Sequence, residues 1–378
     1  MSLELLVDAS EFWPAAARDI AAARESVCVQ ALTFENDAAG GALARALLAS
    51  PARDKRVLVD CHSKHVVSDK LWRHPKYLFD SALHAEVRAT RAMVEEFGRN
   101  GIGFRYVNPV GTFLQRAPAR NHKKLVAIDG RVAYLGGINF GDHNFAWHDI
   151  MLRIEDPEIV PFLTEDFDWT WGGVDHGTSR RFTGLELHVL NGCWNESQFG
   201  VVFDLISCAR DTIYVQAPYL GPPFSDELGR AARRGVKVTI VTPDANNWRL
   251  CQEHILWKAA QAPLDLQYYA GRMTHMKALL VDGETLVTGS ANFELWSYHF
   301  QQEYLAIVTD PAVVTAFAER VVRADAARCV PCTDTVSPVR GRLADLRFSM
   351  IERVALFLCG REAEARPALL GEAALESQ

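Results

Sequence analysis

His122-Lys123-Lys124-Leu125-Val126-Ala127-Ile128-Asp129-Gly130 and His275-Met276-Lys277-Ala278-Leu279-Leu280-Val281-Asp282-Gly283 are one pattern written twice. In each, a His and a Lys two residues apart lead into an apolar run that closes on Asp-Gly. The register continues past the turn. Gly136, Asn139 and Phe140 fall opposite Gly289, Asn292 and Phe293, every pair 153 residues apart. Earlier echoes keep the same order at wider offsets: Leu3-Glu4-Leu5 returns as Leu185-Glu186-Leu187, and Val29-Gln30-Ala31 as Val215-Gln216-Ala217. The wider offsets place a longer insertion, residues 71–100, ahead of the first His. Internal repetition on this scale means a duplicated structural unit.

Each copy reads as alternating strands and helices, which predicts an α/β sheet flanked by helices. The first copy has strands over 3–7, 26–34 and 56–59. Its helices cover 10–24, with Asp8 or Ser10 as N-cap, and 40–48. The second has strands over 185–190, 212–217 and 236–241 and helices over 198–209 and 225–234. Asp-Gly between two apolar runs is a strong hairpin signal, so each motif is expected to fold as a hairpin. Period-two geometry then puts His122 beside Lys124, and His275 beside Lys277, on one face of a strand. The expected division is 1–178, 179–330, and a tail over 331–378 in which Pro331, Pro338 and Gly341 mark a linker. The helix over 343–358 carries Leu343, Leu346, Met350, Val354 and Phe357 on one side. Such a helix either lies in a membrane interface or packs on the second domain.

Composition narrows the classes. The 378 residues are 49% hydrophobic and 23% charged, enough for a full core and unlike a disordered chain. A formal charge of −7 argues against tight nonspecific binding to nucleic acid, and only nine lysines are present, two of them in the motifs. No stretch reads as a membrane span or a secretory signal. The eight cysteines sit mostly in apolar runs, where a reduced thiol behaves as a small hydrophobe. The expected setting is therefore cytoplasmic. Cys329-Val-Pro-Cys332 has the spacing of half a zinc site, but a second pair is missing, and no metal or other cofactor is expected.

Two His and two Lys brought together suit a phosphodiester. One neutral imidazole can attack phosphorus, and the other, protonated, can serve the leaving oxygen. The ammonium groups of Lys124 and Lys277 and the amides of Asn139 and Asn292 can hold the charged oxygens. Opposite protonation states require carboxylates on the second ring nitrogens. Asp149 and Glu303, 27 and 28 residues after their motif histidines in strand-like runs, are the candidates. Asp129 and Asp282 are either part of this chemistry or simply turn residues.

The doubled His-x-Lys-x4-Asp, each followed by Gly-x2-Asn, resembles the signature of the phospholipase D superfamily, over residues 3–310. Residues 121–139, Trp147 through Ile154, Pro218-Tyr219 and Gly289-Ser290-Ala291-Asn292-Phe293 are similar to the bacterial cardiolipin synthase branch. The resemblance implies two pseudo-twofold-related domains, each a mixed sheet flanked by helices, with the active site in the cleft between them. It implies His122 as nucleophile, His275 as general acid, Glu303 orienting His122 and Asp149 orienting His275. A duplicated chain already contains both half-sites, so a monomer is expected to suffice. Gly136, Gly289, Asp129, Asp282 and Ser290 are motif positions of structural use. Gly137 stands where the second half has Ser290, so the first half is expected to lack one phosphate-binding hydroxyl. Branch members often begin with spanning helices, and this chain resembles shorter, peripheral ones.

The motif itself does not choose between lipid and nucleic acid. Trp72, Tyr77, Leu78 and Phe79 in the insertion, with Phe145, Trp147, Trp169, Trp171, Trp296, Tyr298 and Phe300, are expected to line an apolar channel. The expected function is phosphatidyl transfer from phosphatidylglycerol or phosphatidylethanolamine at the inner face of the cell membrane. The alternatives are a lipid hydrolase, a nuclease or other phosphodiesterase, and a silent lipid-binding scaffold. The last is disfavoured because every motif His, Lys and Asn is intact.

Overall fold

In a computed structural model, residues 2–111, 116–193 and 195–360 are described. Residues 361–378 of the expected tail lie outside them. Two sheets repeat one topology. The first runs Ser2–Val7, Ile150–Glu155, Val132–Gly136, Leu125–Ile128, Ser26–Ala31, Asp54–Asp60, Gly103–Val107. The second holds the counterparts in the same order: Leu185–Asn191, Gln302–Val308, Thr285–Gly289, Ala278–Val281, Thr212–Gln216, Lys237–Pro243, Leu264–Tyr269. It gains Thr178–Phe182 at one edge and Cys329–Pro331 at the other. In both, the three strands that follow the central hairpin outward are parallel and the rest antiparallel. The fold is thus a mixed α/β pair with pseudo-twofold symmetry.

Apolar alternation decides where the layers meet. Each sheet covers its outer face with its own helices: Phe12, Ile20, Leu43 and Leu47 on the first, Phe199, Val202, Leu228 and Ile255 on the second. The inner faces share one cluster. Leu125, Leu135 and Leu152 of one sheet and Leu187, Leu280 and Ala306 of the other pack with Phe167 and Phe317, from helices Ile159–Trp171 and Pro311–Phe317. A buried ion pair crosses this core, Lys123 Nζ to Asp166 at 2.8 Å, with the Tyr304 hydroxyl donating to Asp166 at 2.6 Å.

Both motif turns form as expected. Asp129 and Gly130 have φ of 52° and 60°, Asp282 and Gly283 of 50° and 68°, the double positive φ of a tight primed hairpin turn. Three expectations are corrected. The helix Ala9–Ala22 has Asp8 at its cap position, but the carboxylate makes no cap bond; it is drawn to His148 and Arg272 instead. The linker is not a linker at Gly341. The last helix already starts at Pro338, capped by Ser337, and Gly341 lies inside it because a Cβ there would sit 2.4 Å from the Trp257 ring. Pro331 ends the edge strand Cys329–Pro331, where a missing N–H costs nothing to the ladder.

Candidate active site

The two histidine motifs enter the cleft just before their strands begin, and two short crossings between the sheets fix where they stand. Asn121 bridges Gln302, and Thr274 bridges His148. In the first crossing His122 N–H donates to the Gln302 carbonyl at 2.9 Å; in the second, His275 N–H donates to the His148 carbonyl at 2.7 Å. Each crossing therefore puts the residue after it, Glu303 or Asp149, beside the histidine of the opposite half. Glu303 Oε1 lies 2.8 Å from His122 Nδ1, and Asp149 Oδ2 lies 2.8 Å from His275 Nδ1. With Nδ1 engaged by a carboxylate, Nε2 is the nitrogen turned to chemistry, and on His275 it lies 3.0 Å from Lys277 Nζ.

All four basic side chains are buried. Lys124 Nζ donates to the His122 carbonyl at 2.6 Å, and Lys277 Nζ reaches the His275 carbonyl and lies 2.8 Å from its Nδ1. Burial holds the Lys124 ammonium down to about 7, with Glu303 opposing and Lys277 adding to the effect; burial holds Lys277 to about 8. Burial also lowers His122, against the pull of Glu303. His275 is lowered to about 3, by burial first and then by the Lys277 charge beside it. Both imidazoles thus favour the neutral form at pH 7. An anion held between Lys124 and Lys277 would cancel the repulsion that keeps protons off the rings.

The supporting residues differ from expectation. The Ser290 hydroxyl donates to Glu303 Oε2 at 2.5 Å, with Ser297 donating to Oε1 at 2.9 Å. Ser290 braces a carboxylate, so the serine missing at Gly137 is not a lost phosphate donor. A Cβ at Gly137 would come within 2.3 Å of Asp149 Oδ1, and the Ile150 N–H holds that oxygen at 2.9 Å instead. Gly289, at φ 135°, would drive a Cβ to 2.2 Å from the Tyr304 carbonyl. Asn139 ties its Oδ1 to Leu32 N–H, leaving its NH2 end as a donor, whereas Asn292 Oδ1 is buried without a partner among the described residues. Asp129 stands away from this chemistry, accepting from the N–H groups of Arg24, Glu25 and Ser26. Asp282 does the same for Arg210, Asp211 and Thr212. Both lock the hairpin to the start of the neighbouring strand.

Of the aromatic residues expected in one channel, only Trp147 touches the histidines, its ring centroid 4.8 Å from that of His275. Tyr219 covers the same imidazole at 6.3 Å. The others separate because they pack where their own elements need cover. Phe145 sits on Phe12 and Phe140, Trp171 on Phe167, Trp169 on His176, Tyr298 on Phe199, and Trp296 on Phe300. Tyr77 and Trp72 flank a small cluster around Val67, Leu83 and Val87, while Phe79 is 97% exposed.

The sequence reading missed the residues that hold the crossings. Gln30 Nε2 donates to Asn121 Oδ1 and Asn121 Nδ2 to Gln302 Oε1, both at 2.9 Å. Opposite, Gln216 Nε2 donates to Thr274 Oγ1 and to Asp325 at 2.9 Å, and His148 is clamped between Asp8 at 2.7 Å and Asp325 at 2.8 Å. The repeated Val-Gln-Ala was the available signal: a glutamine at the same place in two apolar strands needs a buried partner.

The match to known proteins follows this geometry. The family described as "Cardiolipin synthase, PLD-like domain" matches residues 17–171 and 202–323, and the chain belongs to that family. A probable cardiolipin synthase of Bacillus subtilis is 25% identical over 265 residues, covering 63% of this chain and 52% of that protein. Cardiolipin synthase A of Pseudomonas entomophila is 27% identical over 349 residues, covering 84% and 66%. The chain thus spans roughly half to two thirds of the length of these relatives. Among solved structures, a phosphatidylserine synthase of Haemophilus influenzae shares the fold at a TM-score of 0.69 and 15% identity, covering 94% of each chain. A polyphosphate kinase of Porphyromonas gingivalis shares it at 0.59 and 14%, covering 93% of this chain and 53% of that one.

Proposed function

We propose that the chain is a phospholipid phosphatidyltransferase of the cardiolipin synthase type that works through a phosphohistidine. The crossed pairs Glu303–His122 and Asp149–His275 carry this reading, because they engage Nδ1 of both imidazoles, leaving Nε2 of His122 for phosphorus and Nε2 of His275 beside the Lys277 ammonium at 3.0 Å. His122 Nε2 attacks phosphorus with its lone pair, the bond from phosphorus to the head-group oxygen breaks, and protonated His275 gives that oxygen its proton. An acceptor hydroxyl then loses its proton to His275 and attacks phosphorus, and the P–N bond electrons return to His122. Lys124, Lys277 and the Asn139 amide hold the non-bridging oxygens. The diester also restores proton affinity to His275, since its charge offsets Lys277. The donor expected is phosphatidylglycerol or phosphatidylethanolamine, the acceptor a second lipid alcohol. Family relatives named as cardiolipin synthases support the substrate class. Among the described residues no helix is long and apolar enough to cross a membrane. We place the chain on the cytoplasmic face, where the unpaired thiols of Cys28, Cys61 and Cys251 stay reduced in their buried positions.

The test is an activated lipid. With a p-nitrophenyl phosphatidyl ester, which needs little help from an acid, His275→Ala should accumulate the phosphatidyl group on the peptide holding His122. His122→Ala should form none. Products from natural lipid, read by mass spectrometry, separate transfer from hydrolysis: a diphosphatidyl lipid marks the first, phosphatidic acid the second. An adduct on neither histidine would refute the covalent route.

A further inference from the structure

The last helix, Pro338–Leu358, is apolar on two sides, and the second domain uses one. Inward, Phe348 rests on Trp248 and against Gly221, Gly341 on Trp257, and Ala344, Ala355 and Leu356 are buried. Its two acids also turn inward. Asp345 binds His254 at 2.7 Å and Lys258 at 3.4 Å, and Glu352 binds His299 at 2.7 Å. Outward, Val339, Leu343, Leu346, Met350, Val354 and Phe357 stand exposed at spacings of three and four residues, Phe357 at 81% and Leu346 at 64%. This is one stripe along the whole helix, not scattered surface residues. Arg342 and Arg353 border it on one edge and Arg347 on the other, without ion-pair partners among the described residues. A stripe of large apolar side chains edged by arginines, with every helix carboxylate turned away, matches an anionic bilayer surface: apolar chains enter the interface and guanidinium groups stay at phosphate level. The helix also adjoins the site. Phe348 packs on Trp248, Trp248 on Tyr219, and Tyr219 on His275.

We infer that the outer face of this helix docks the chain on an anionic lipid surface, with the cleft beside it. The inference deepens the reading of the site as one for membrane phospholipid. The test uses the full chain, phosphatidylcholine vesicles with and without phosphatidylglycerol, and a short-chain lipid dispersed as monomers. Wild type should cosediment with the mixed vesicles. Leu346→Glu with Phe357→Glu should weaken that binding by about tenfold or more, at unchanged melting temperature and unchanged turnover of the monomeric lipid. Replacing Arg342, Arg347 and Arg353 with Gln should erase the preference for the anionic vesicles. Binding that survives the glutamates overturns the inference, as does a full chain that binds no vesicles. So does a wild-type dimer that the glutamates dissociate, which would assign the face to a second copy. Vesicle binding without lipid turnover by wild type would instead sink the transferase reading and leave the docking face standing.

Discussion

The two halves solve one problem with different residues. His122 is held by a long acid, Glu303, whose two oxygens take hydroxyls from Ser290 and Ser297. His275 is held by a shorter acid, Asp149, braced by a backbone N–H, with a glycine where the serine would be. Ser-plus-Glu and Gly-plus-Asp fill one volume in two ways, since any side chain at 137 would meet the Asp149 oxygens. The crossings differ too. One is pinned by the amides of Gln30, Asn121 and Gln302, with the buried Asp60 carboxylate taking the Asn121 N–H and pairing with Arg120; the other by a histidine between two aspartates. What both halves share is a place for one carboxylate oxygen beside one imidazole, reached by unlike residues.

The comparison can be broken most sharply at the acids. Glu303→Gln and Asp149→Asn remove the charge that supports each imidazolium, and each should lower kcat by roughly 10³–10⁴-fold. A loss confined to one of them would mean that the halves do not share the work.

Exchanging the fillings comes next. Gly137→Ser should cost about 10²-fold in kcat by displacing the Asp149 carboxylate from His275, while Ser290→Gly, which removes one of several bonds to Glu303, should cost about tenfold. Gly137→Ser combined with Asp149→Glu copies the other half and should recover part of the loss. No recovery in the double variant would show that the two fillings are not equivalent.

The crossing at His148 predicts a pH signature above neutrality. Hydrogen bonds and charge from Asp325 and Asp8 outweigh burial and raise His148 to about 9. A raised folded pKa stabilises the fold fully below the ordinary histidine value near 6.5 and loses that contribution as pH climbs through 9. The gradient should amount to roughly 3 kcal/mol in unfolding free energy. His148→Gln, which imitates Gln302, should flatten it. An unchanged slope in denaturant melts from pH 6.5 to 9 would contradict the clamp.

The smallest effect belongs to the motif aspartates. Asp129→Ala and Asp282→Ala each remove an acceptor from three backbone N–H groups, at a cost of about 1 kcal/mol in stability. Turnover measured well below the melting temperature should stay near wild type. A large drop in kcat would return them to the chemistry.

Much of this was legible from local pattern. Strand and helix centres, the Asp-Gly turns and the pairing of repeats all follow from periodicity and turn chemistry, which act over a few residues. The errors came where a residue answers to something distant. Asp8 looks like a helix cap and is claimed by His148 and Arg272. Gly341 looks like a linker and is a contact surface for Trp257. The aromatic residues look like one channel, yet only Trp147 reaches a motif histidine while most of the others join separate packed clusters and Phe79 stands exposed, because a ring is equally apolar in any of these places.

The sequence alone determined that there are two copies, that each brings a His, a Lys and an Asn to the end of a strand, and that their chemistry suits a phosphodiester. Only the tertiary structure decided that Ser290 serves Glu303 and that the stripe on the last helix points outward; the pairing of each carboxylate with the imidazole of the opposite half was already implied by the family resemblance. Repeats and turns are set by neighbours along the chain. Which groups meet across the cleft is set by two short backbone crossings between sheets, and their partners lie 126 to 181 residues apart.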